Sequence, residues 1–158
     1  MIAALPGPPA AKVAPMNLDA LIQTKDPARC DFGAEFNAVG ERLFVIDPVT
    51  KKIIPGMLAF PEKYAGAFGK PEYQAQADGT LVLTMPMVGI WKGFPLVAIV
   101  TSANALGKPA KTMFVLKTDY ATAEKRFAGD FGTNRKSAYS VSRIPDVTGH
   151  ALLNCEQK

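Results

Sequence analysis

The sequence predicts an α+β fold, in which one antiparallel sheet packs against two or three short helices. Residues 79–118 support this most strongly, since they hold the densest aliphatic and β-branched content of the 158-residue chain. Their three apolar runs, residues 81–83, 96–100 and 113–116, are bounded by turn residues, which is typical of strands. We expect an antiparallel meander, with a curled, barrel-like sheet as the alternative.

Turn chemistry separates these predicted strands. Asp78 and Gly79 precede the first run as a hairpin signal, because glycine accepts a positive φ. Lys92 and Gly93 predict a second turn, between Trp91 and Phe94. Both turns favour pairing between neighbours in the chain, as in a meander.

Helical patterns lie on the N-terminal side of the meander. Asn17 is expected to cap a short helix that ends at Asp26, with an apolar face made of Leu18, Leu21 and Ile22. The apolar residues of segment 30–44 also recur at helical spacing: Phe32, Phe36, Val39 and Leu43. Gly33 and Gly40 weaken that second helix, so the segment stays ambiguous.

The clearest helix is predicted for residues 119–128. Its apolar stripe is Tyr120, Ala123 and Phe127. Thr118 or Asp119 is expected to cap the helix, and Gly129 to end it.

Further short elements complete the α+β pattern. Strands are expected at residues 43–46, 53–54, 72–76, 137–143 and 151–155. A short helix should begin at Pro61 and end near Gly66 or Gly69. Residues 62–69 weakly repeat residues 124–132, which indicates either a possible internal duplication or the chance similarity of two helix ends.

Composition suggests how the chain is organised. Residues 1–15 are rich in Ala and Pro and are expected to be a disordered leader, followed by a single globular domain over residues 16–158. Such leaders often follow a removed signal peptide or lipoprotein anchor, so membrane-surface attachment through a removed N-terminal signal is possible. No transmembrane segment is predicted, because no window holds about 20 uninterrupted apolar residues.

The two cysteines lie near opposite ends of the chain. A disulfide between Cys30 and Cys155 would tie the two ends together, and disulfides indicate an oxidising compartment. We therefore expect a periplasmic or secreted protein. The alternative is two buried free thiols in a cytosolic protein.

The charge is unevenly distributed. Residues 89–158 carry ten of the 18 Lys and Arg residues but only five of the 14 Asp and Glu residues. The cations are dispersed and no aromatic pattern typical of RNA binding accompanies them, so a nucleic acid partner is not favoured. The plainer interpretation is a solvated basic surface.

Few residues in the sequence could carry chemistry. His150 is the only histidine and the cysteines lack metal-binding spacing, so neither a metal nor a cofactor is expected. No phosphate-binding glycine loop or nucleophile-elbow motif is present. Asp31 and Glu35 would share a face of the ambiguous helix, although solvated carboxylates are the simpler interpretation.

The best recognition candidate is the turn that holds Trp91, Lys92 and Phe94. Tryptophan is enriched at binding hot spots, and loop tips often carry function. The alternative is that both rings cap the core of the protein.

Three functions follow as hypotheses. The first is an exported, non-enzymatic binding domain for an unknown protein or small-molecule ligand, using the Trp91 turn. The second is a carrier that holds a small ligand in a pocket of a curled sheet. The third is a small enzyme that uses Cys30 or Cys155 with His150.

Overall fold

The computed structural model describes residues 15–103, 109–131 and 137–156. Within these ranges the strands are β1 (Phe44–Ile46), β2 (Ile53–Pro55), β3 (Glu72–Ala75), β4 (Leu81–Pro86), β5 (Ile90–Trp91), β6 (Phe94–Ala103), β7 (Pro109–Leu116), β8 (Tyr139–Ile144) and β9 (Val147–Glu156). The helices are α1 (Ala34–Glu41), a 3-10 helix (Glu62–Ala67) and α2 (Tyr120–Phe131).

The larger sheet has the order β3-β4-β6-β7-β9-β8, and β5 pairs with the start of β6. Every described pairing between these strands is antiparallel, so the predicted α+β fold is confirmed. The sheet stays open, with β3 and β8 at its two ends. It is a meander up to β7. After α2 the chain returns as the β8–β9 hairpin, and β9 rather than β8 lies beside β7.

One face of the larger sheet supplies most of the core. Ile99, Phe114 and Leu153 lie side by side on β6, β7 and β9, and all three are buried. The intervening residues point to the other face, because successive side chains of a strand alternate. On that face Val100 and Met113 pair and are only half-buried.

The prediction of a helix at residues 17–26 is wrong, although the residues of its predicted apolar face are buried. Leu18, Leu21 and Ile22 are fully buried, but the chain makes a single turn, in which the Ile22 amide donates to the Leu18 carbonyl at 2.9 Å. Asn17 forms a bridge to Ile90 instead of starting a helix. The Gln23 amide donates to the Phe32 carbonyl at 2.9 Å and not to the Asp19 carbonyl that a helix would use, so the turn does not continue as a helix.

Both longer helices depart from their predicted limits. Segment 30–44 does contain a helix, α1, which begins after Gly33, where φ is 91°. Helix α2 continues through Gly129 to Phe131, so the predicted stop at Gly129 is wrong. Phe131 is buried and stacks on Tyr139 at 4.2 Å between ring centroids, and this packing favours the added turn.

The two weakly repeated segments differ in conformation. Residues 62–67 of the first segment form the 3-10 helix, and Phe68 and Gly69 follow it. The second segment lies in α2, except for Gly132, which lies outside the described residues. Their local structure therefore gives the duplication no support. The expectation for residues 1–15 also lies outside the described residues, apart from Pro15.

The predicted disulfide between Cys30 and Cys155 is present. The bond joins the loop before α1 to β9, with 5.8 Å between the Cα atoms and a sequence separation of 125. Cys155 is fully buried, so the disulfide packs against the core. In the described residues no helix is long and apolar enough to cross a membrane.

Candidate functional site

A cleft of about 460 Å³ opens between α1 and the buried face of the sheet. The disulfide lies in its wall, and we call it the disulfide cleft. Helix α1 contributes Phe36 and Gly40, and the strands contribute Ile99, Thr101 and Thr112. The cleft exists because α1 covers the sheet incompletely, with glycine rather than a larger side chain at position 40.

The walls of the disulfide cleft are largely apolar and aromatic. Phe32 packs edge-on against Phe36, with ring centroids 5.7 Å apart, and against Phe114 at 5.3 Å. Leu43 and Ile99 line the cleft as well, and both also line a smaller apolar recess that reaches Leu83, Met85 and Phe68. Aromatic contacts of this kind hold the walls in fixed positions.

The floor of the cleft is polar. The Thr101 hydroxyl donates to the Lys111 carbonyl at 3.0 Å, and its oxygen lies 3.4 Å from Thr112 Oγ1. Because the Thr101 proton is used on Lys111, the Thr112 hydroxyl is the donor within the pair. The Thr112 oxygen therefore keeps lone pairs that can accept a hydrogen bond from a group in the cleft.

The rim carries an ordered carboxylate. Asp31 Oδ1 accepts hydrogen bonds from Asn37 Nδ2 at 2.7 Å and from the Gly33 amide at 3.1 Å. The Asn37 bond first, and the Gly33 bond next, hold the pKa of Asp31 below its usual value, so the group is ionised at neutral pH. Arg29 lines the cleft beside it.

Lys111 also lines the cleft. Lys111 and Thr112 are successive residues of β7, so their side chains lie on opposite faces of the sheet. Thr112 faces the cleft, and Lys111 contributes its carbonyl oxygen there. The charged residues that line the cleft are Arg29, Asp31, Glu41 and Lys111, and the alternation of the strand directs the Lys111 ammonium toward the other face of the sheet.

The structure places Trp91 in the core. Its side chain is 0% exposed, its Nε1 donates to the Ile22 carbonyl at 2.9 Å, and its ring lies 4.5 Å from that of Phe114. This matches the alternative in which the ring packs against the core. A direct contact between Trp91 and a partner has no support from this arrangement.

Lys92 and Phe94 lie at the predicted turn, and a binding role for them stays a prediction. Lys92 and Gly93 have φ values of 56° and 87°, which join β5 to β6. The Lys92 ammonium lies 3.9 Å from Asp130, and the half-buried Phe94 ring lies 6.0 Å from that of Phe127. Both side chains thus contact α2.

The candidate catalytic groups do not come together. Both cysteines are in the disulfide, so neither supplies a thiolate to pair with His150 in this state. Asp31 precedes α1, so the expected Asp31–Glu35 pair on one helix face is wrong. Within the described ranges no cluster of three or more potential metal ligands occurs.

Sequence reasoning missed the threonine pair. Thr101 follows the predicted apolar run on β6 and is 3% exposed, in phase with buried Ile99 and Ala103. A polar residue at an inward position of a strand was the available signal. Its partner Thr112 could not be identified, because it depends on the register of β6 with β7.

Comparison with protein-family models, with curated proteins and with solved structures finds no match for this chain. The functional argument therefore depends on the geometry of the molecule itself.

Proposed function

We propose that this chain is an exported binding domain that holds a small amphipathic molecule in the disulfide cleft. The observation that carries the proposal is an opening of about 460 Å³ with apolar walls and, at its floor, a threonine pair of which Thr101 is buried. Pockets that bind small molecules span about 300–1,000 Å³ and combine apolar walls with a few fixed polar groups. The disulfide cleft has the size and the lining of such a site.

The lining indicates the chemistry of the ligand. An apolar body would pack against Phe32, Phe36 and Ile99, which remove it from water. A hydroxyl or amino group of the ligand would donate to Thr112 Oγ1, which has lone pairs to accept it. The ionised Asp31 carboxylate at the rim favours a donor or a cation over an anion.

A small ligand is favoured over a protein bound at the Trp91 turn. The Trp91 ring is fully enclosed, so a partner could reach it only if the core opened. The disulfide cleft, in contrast, opens to solvent without any rearrangement. The expected carrier holds its ligand inside a curled sheet, whereas the larger sheet is open and the cleft lies between α1 and the sheet. The carrier mode is therefore favoured with its ligand at this different position.

The disulfide supports the export part of the proposal. Cys30 and Cys155 are bonded in the folded chain, and structural disulfides persist in the periplasm or outside the cell. Thiol labelling of the unfolded, non-reduced protein from its natural compartment tests this directly. We expect no labelled thiol, and two labelled thiols per chain would contradict export.

Native mass spectrometry of freshly purified protein tests the ligand. We expect the chain to carry a small added mass that disappears under denaturing conditions. A native spectrum that contains only the bare, disulfide-bonded chain, even from protein purified under mild conditions, would contradict the carrier proposal.

A further inference from the structure

The β1–β2 hairpin concentrates the exposed apolar surface of the molecule. Eight large apolar side chains are exposed in the described part of the chain, and five of them belong to residues 45–57: Val45, Ile46, Val49, Ile54 and Met57. Val49, at the tip of the hairpin, and Met57, just after it, are each 86% exposed. Exposed apolar side chains collected in one place indicate an interaction site.

Both faces of the hairpin are apolar. Val45 and Ile54 pair directly across the two strands, so they share a face, and they are 42% and 36% exposed. Ile46 follows Val45 in β1 and lies on the opposite face, where it is 42% exposed. The surface of one protein partner would cover one face, whereas a lipid interface surrounds whatever enters it.

The tip of the hairpin is held in one conformation. Asp47 Oδ1 accepts the amides of Val49 at 2.8 Å and Thr50 at 3.3 Å, and Lys51 adopts a φ of 61°. These bonds lower the pKa of Asp47, so the turn is fixed by an ionised side chain at neutral pH. Little conformational freedom remains to be lost when the tip binds.

The base of the hairpin is anchored to the body. The Tyr73 hydroxyl donates to the Leu43 carbonyl at 2.8 Å, and the Gly56 amide donates to the same carbonyl at 3.0 Å. A Cβ atom at Gly56 would lie 2.0 Å from the Arg42 carbonyl oxygen, so the two ends of the hairpin approach closely. The exposed side chains are therefore displayed on a rigid projection.

The hairpin is cationic as well as apolar. Residues 42–57 contain Arg42, Lys51 and Lys52, and all three are exposed. Asp47 is the one acidic residue of this segment, and it accepts hydrogen bonds from the turn. Apolar side chains next to lysines fit a membrane interface that carries anionic headgroups.

From the apolar tip, the two apolar faces and the adjacent lysines, we propose that the β1–β2 hairpin inserts its tip into the interface of an anionic lipid bilayer. Val49 enters the boundary between headgroups and acyl chains, and Lys51 and Lys52 contact the headgroup phosphates. The association is peripheral and reversible, because a few apolar side chains bury little area. This inference is independent of the ligand in the disulfide cleft.

A tryptophan placed at the tip tests the insertion. The full chain with Val49→Trp is mixed with vesicles of phosphatidylcholine alone or of phosphatidylcholine with phosphatidylglycerol. Trp91 is buried and supplies a constant background. We expect the Val49→Trp emission to shift to shorter wavelengths with the anionic vesicles, and the matched variant Val147→Trp, at the exposed β8–β9 turn, to show no shift.

A second pair of variants tests the charge. The double variant Lys51→Gln with Lys52→Gln should bind anionic vesicles with an affinity about thirty-fold lower, as measured by co-sedimentation. Each lysine near such a surface raises the affinity by about five-fold. The control is Lys117→Gln with Lys125→Gln, two exposed lysines outside the hairpin, which should leave binding unchanged. All these positions are on the surface, and circular dichroism checks that each variant is folded.

Three results would overturn the proposal. The first is that the protein binds no vesicle, in which case the apolar surface of the hairpin would be assigned to a protein partner. The second is equal loss of binding in the two lysine pairs, which would mean that overall charge rather than the hairpin governs association. The third is an equal emission shift for Val49→Trp and Val147→Trp.

Discussion

Trp91 Nε1 donates a hydrogen bond to the carbonyl oxygen of Ile22, 2.9 Å away and 69 residues earlier in the chain. The bond joins the N-terminal turn to β5, inside a core where both residues are 0% exposed. Ile22 is held in the same place by the Leu18 carbonyl, to which its amide donates. The N-terminal turn is therefore part of the core and not an appendage.

This bond makes the substitution Trp91→Phe informative. We expect it to lower the free energy of unfolding by about 2–4 kcal/mol, because it leaves the Ile22 carbonyl unpaired and opens space beside Phe114. Urea denaturation followed by circular dichroism measures the change. An unchanged free energy of unfolding would contradict the core position and revive a surface role for Trp91.

The disulfide is predicted to stabilise the fold strongly. Replacing both Cys30 and Cys155 with serine should reduce the free energy of unfolding by about 3–5 kcal/mol, because the bond closes a long loop of the unfolded chain. Guanidinium denaturation of the oxidised protein and of the double variant measures the difference. A stability that is the same in both would show that the bond is dispensable for folding.

Gly129 lies inside α2 and does not end the helix. A Cβ atom there meets no atom within 4 Å, so Gly129→Ala should raise the free energy of unfolding by about 0.5–1 kcal/mol. Gly56→Ala is the contrasting variant and should lower the free energy of unfolding, because its Cβ atom would collide with the Arg42 carbonyl. If Gly129→Ala destabilised the protein instead, the helix would end at Gly129 in a left-handed conformation.

Asp119 should make stability depend on pH. It caps α2 by accepting the amide of Thr122 at 2.8 Å, and this bond holds its pKa below the usual value of 3.8. Because the pKa of Asp119 is lower in the folded than in the unfolded state, its ionised form stabilises the fold. This contribution to the free energy of unfolding is complete above pH 3.8 and is lost as the pH falls through the pKa of the folded state.

The variant Asp119→Ala isolates this contribution. We expect the melting temperature of Asp119→Ala to lie below that of the unchanged protein at neutral pH, and the gap to narrow in acid. Asp119→Asn is the control, because an amide oxygen can accept the same Thr122 amide without titrating. A gap that grew as the pH fell would contradict the assignment.

Local chemistry in the sequence was enough to predict several elements. The runs at 81–83, 96–100 and 113–116 are strands because their aliphatic and β-branched residues fit a pleated surface. Gly79 and Gly93, which precede the first two runs, have the positive φ that the turns require. The Cys30–Cys155 bond was also predictable, since only two cysteines exist.

The features that local patterns did not predict depend on contacts with residues distant in the chain. The local pattern of Gly129 is the same for a helix end as for a helix interior, and only the packing of Phe131 on Tyr139 decides between them. The local sequence around Trp91 fits both an exposed turn and a ring in the core, and only its hydrogen bond to the distant Ile22 carbonyl decides between them.

The candidate site was hidden for the same reason. The disulfide cleft combines residues from α1, β6 and β7, and its Thr101–Thr112 pair is set by a strand register that includes bulges. No local pattern encodes that register.

The native masses of two glycine variants test the ligand site most directly. Gly40 lines the disulfide cleft and has open space for a Cβ atom, so Gly40→Leu should fill the site. Gly129→Leu, on exposed α2 and also with open space, is the matched control. We predict that the unchanged protein and Gly129→Leu carry the same small added mass and that folded Gly40→Leu is bare. An equal added mass on both variants, or a bare unchanged protein, would contradict a ligand in the disulfide cleft.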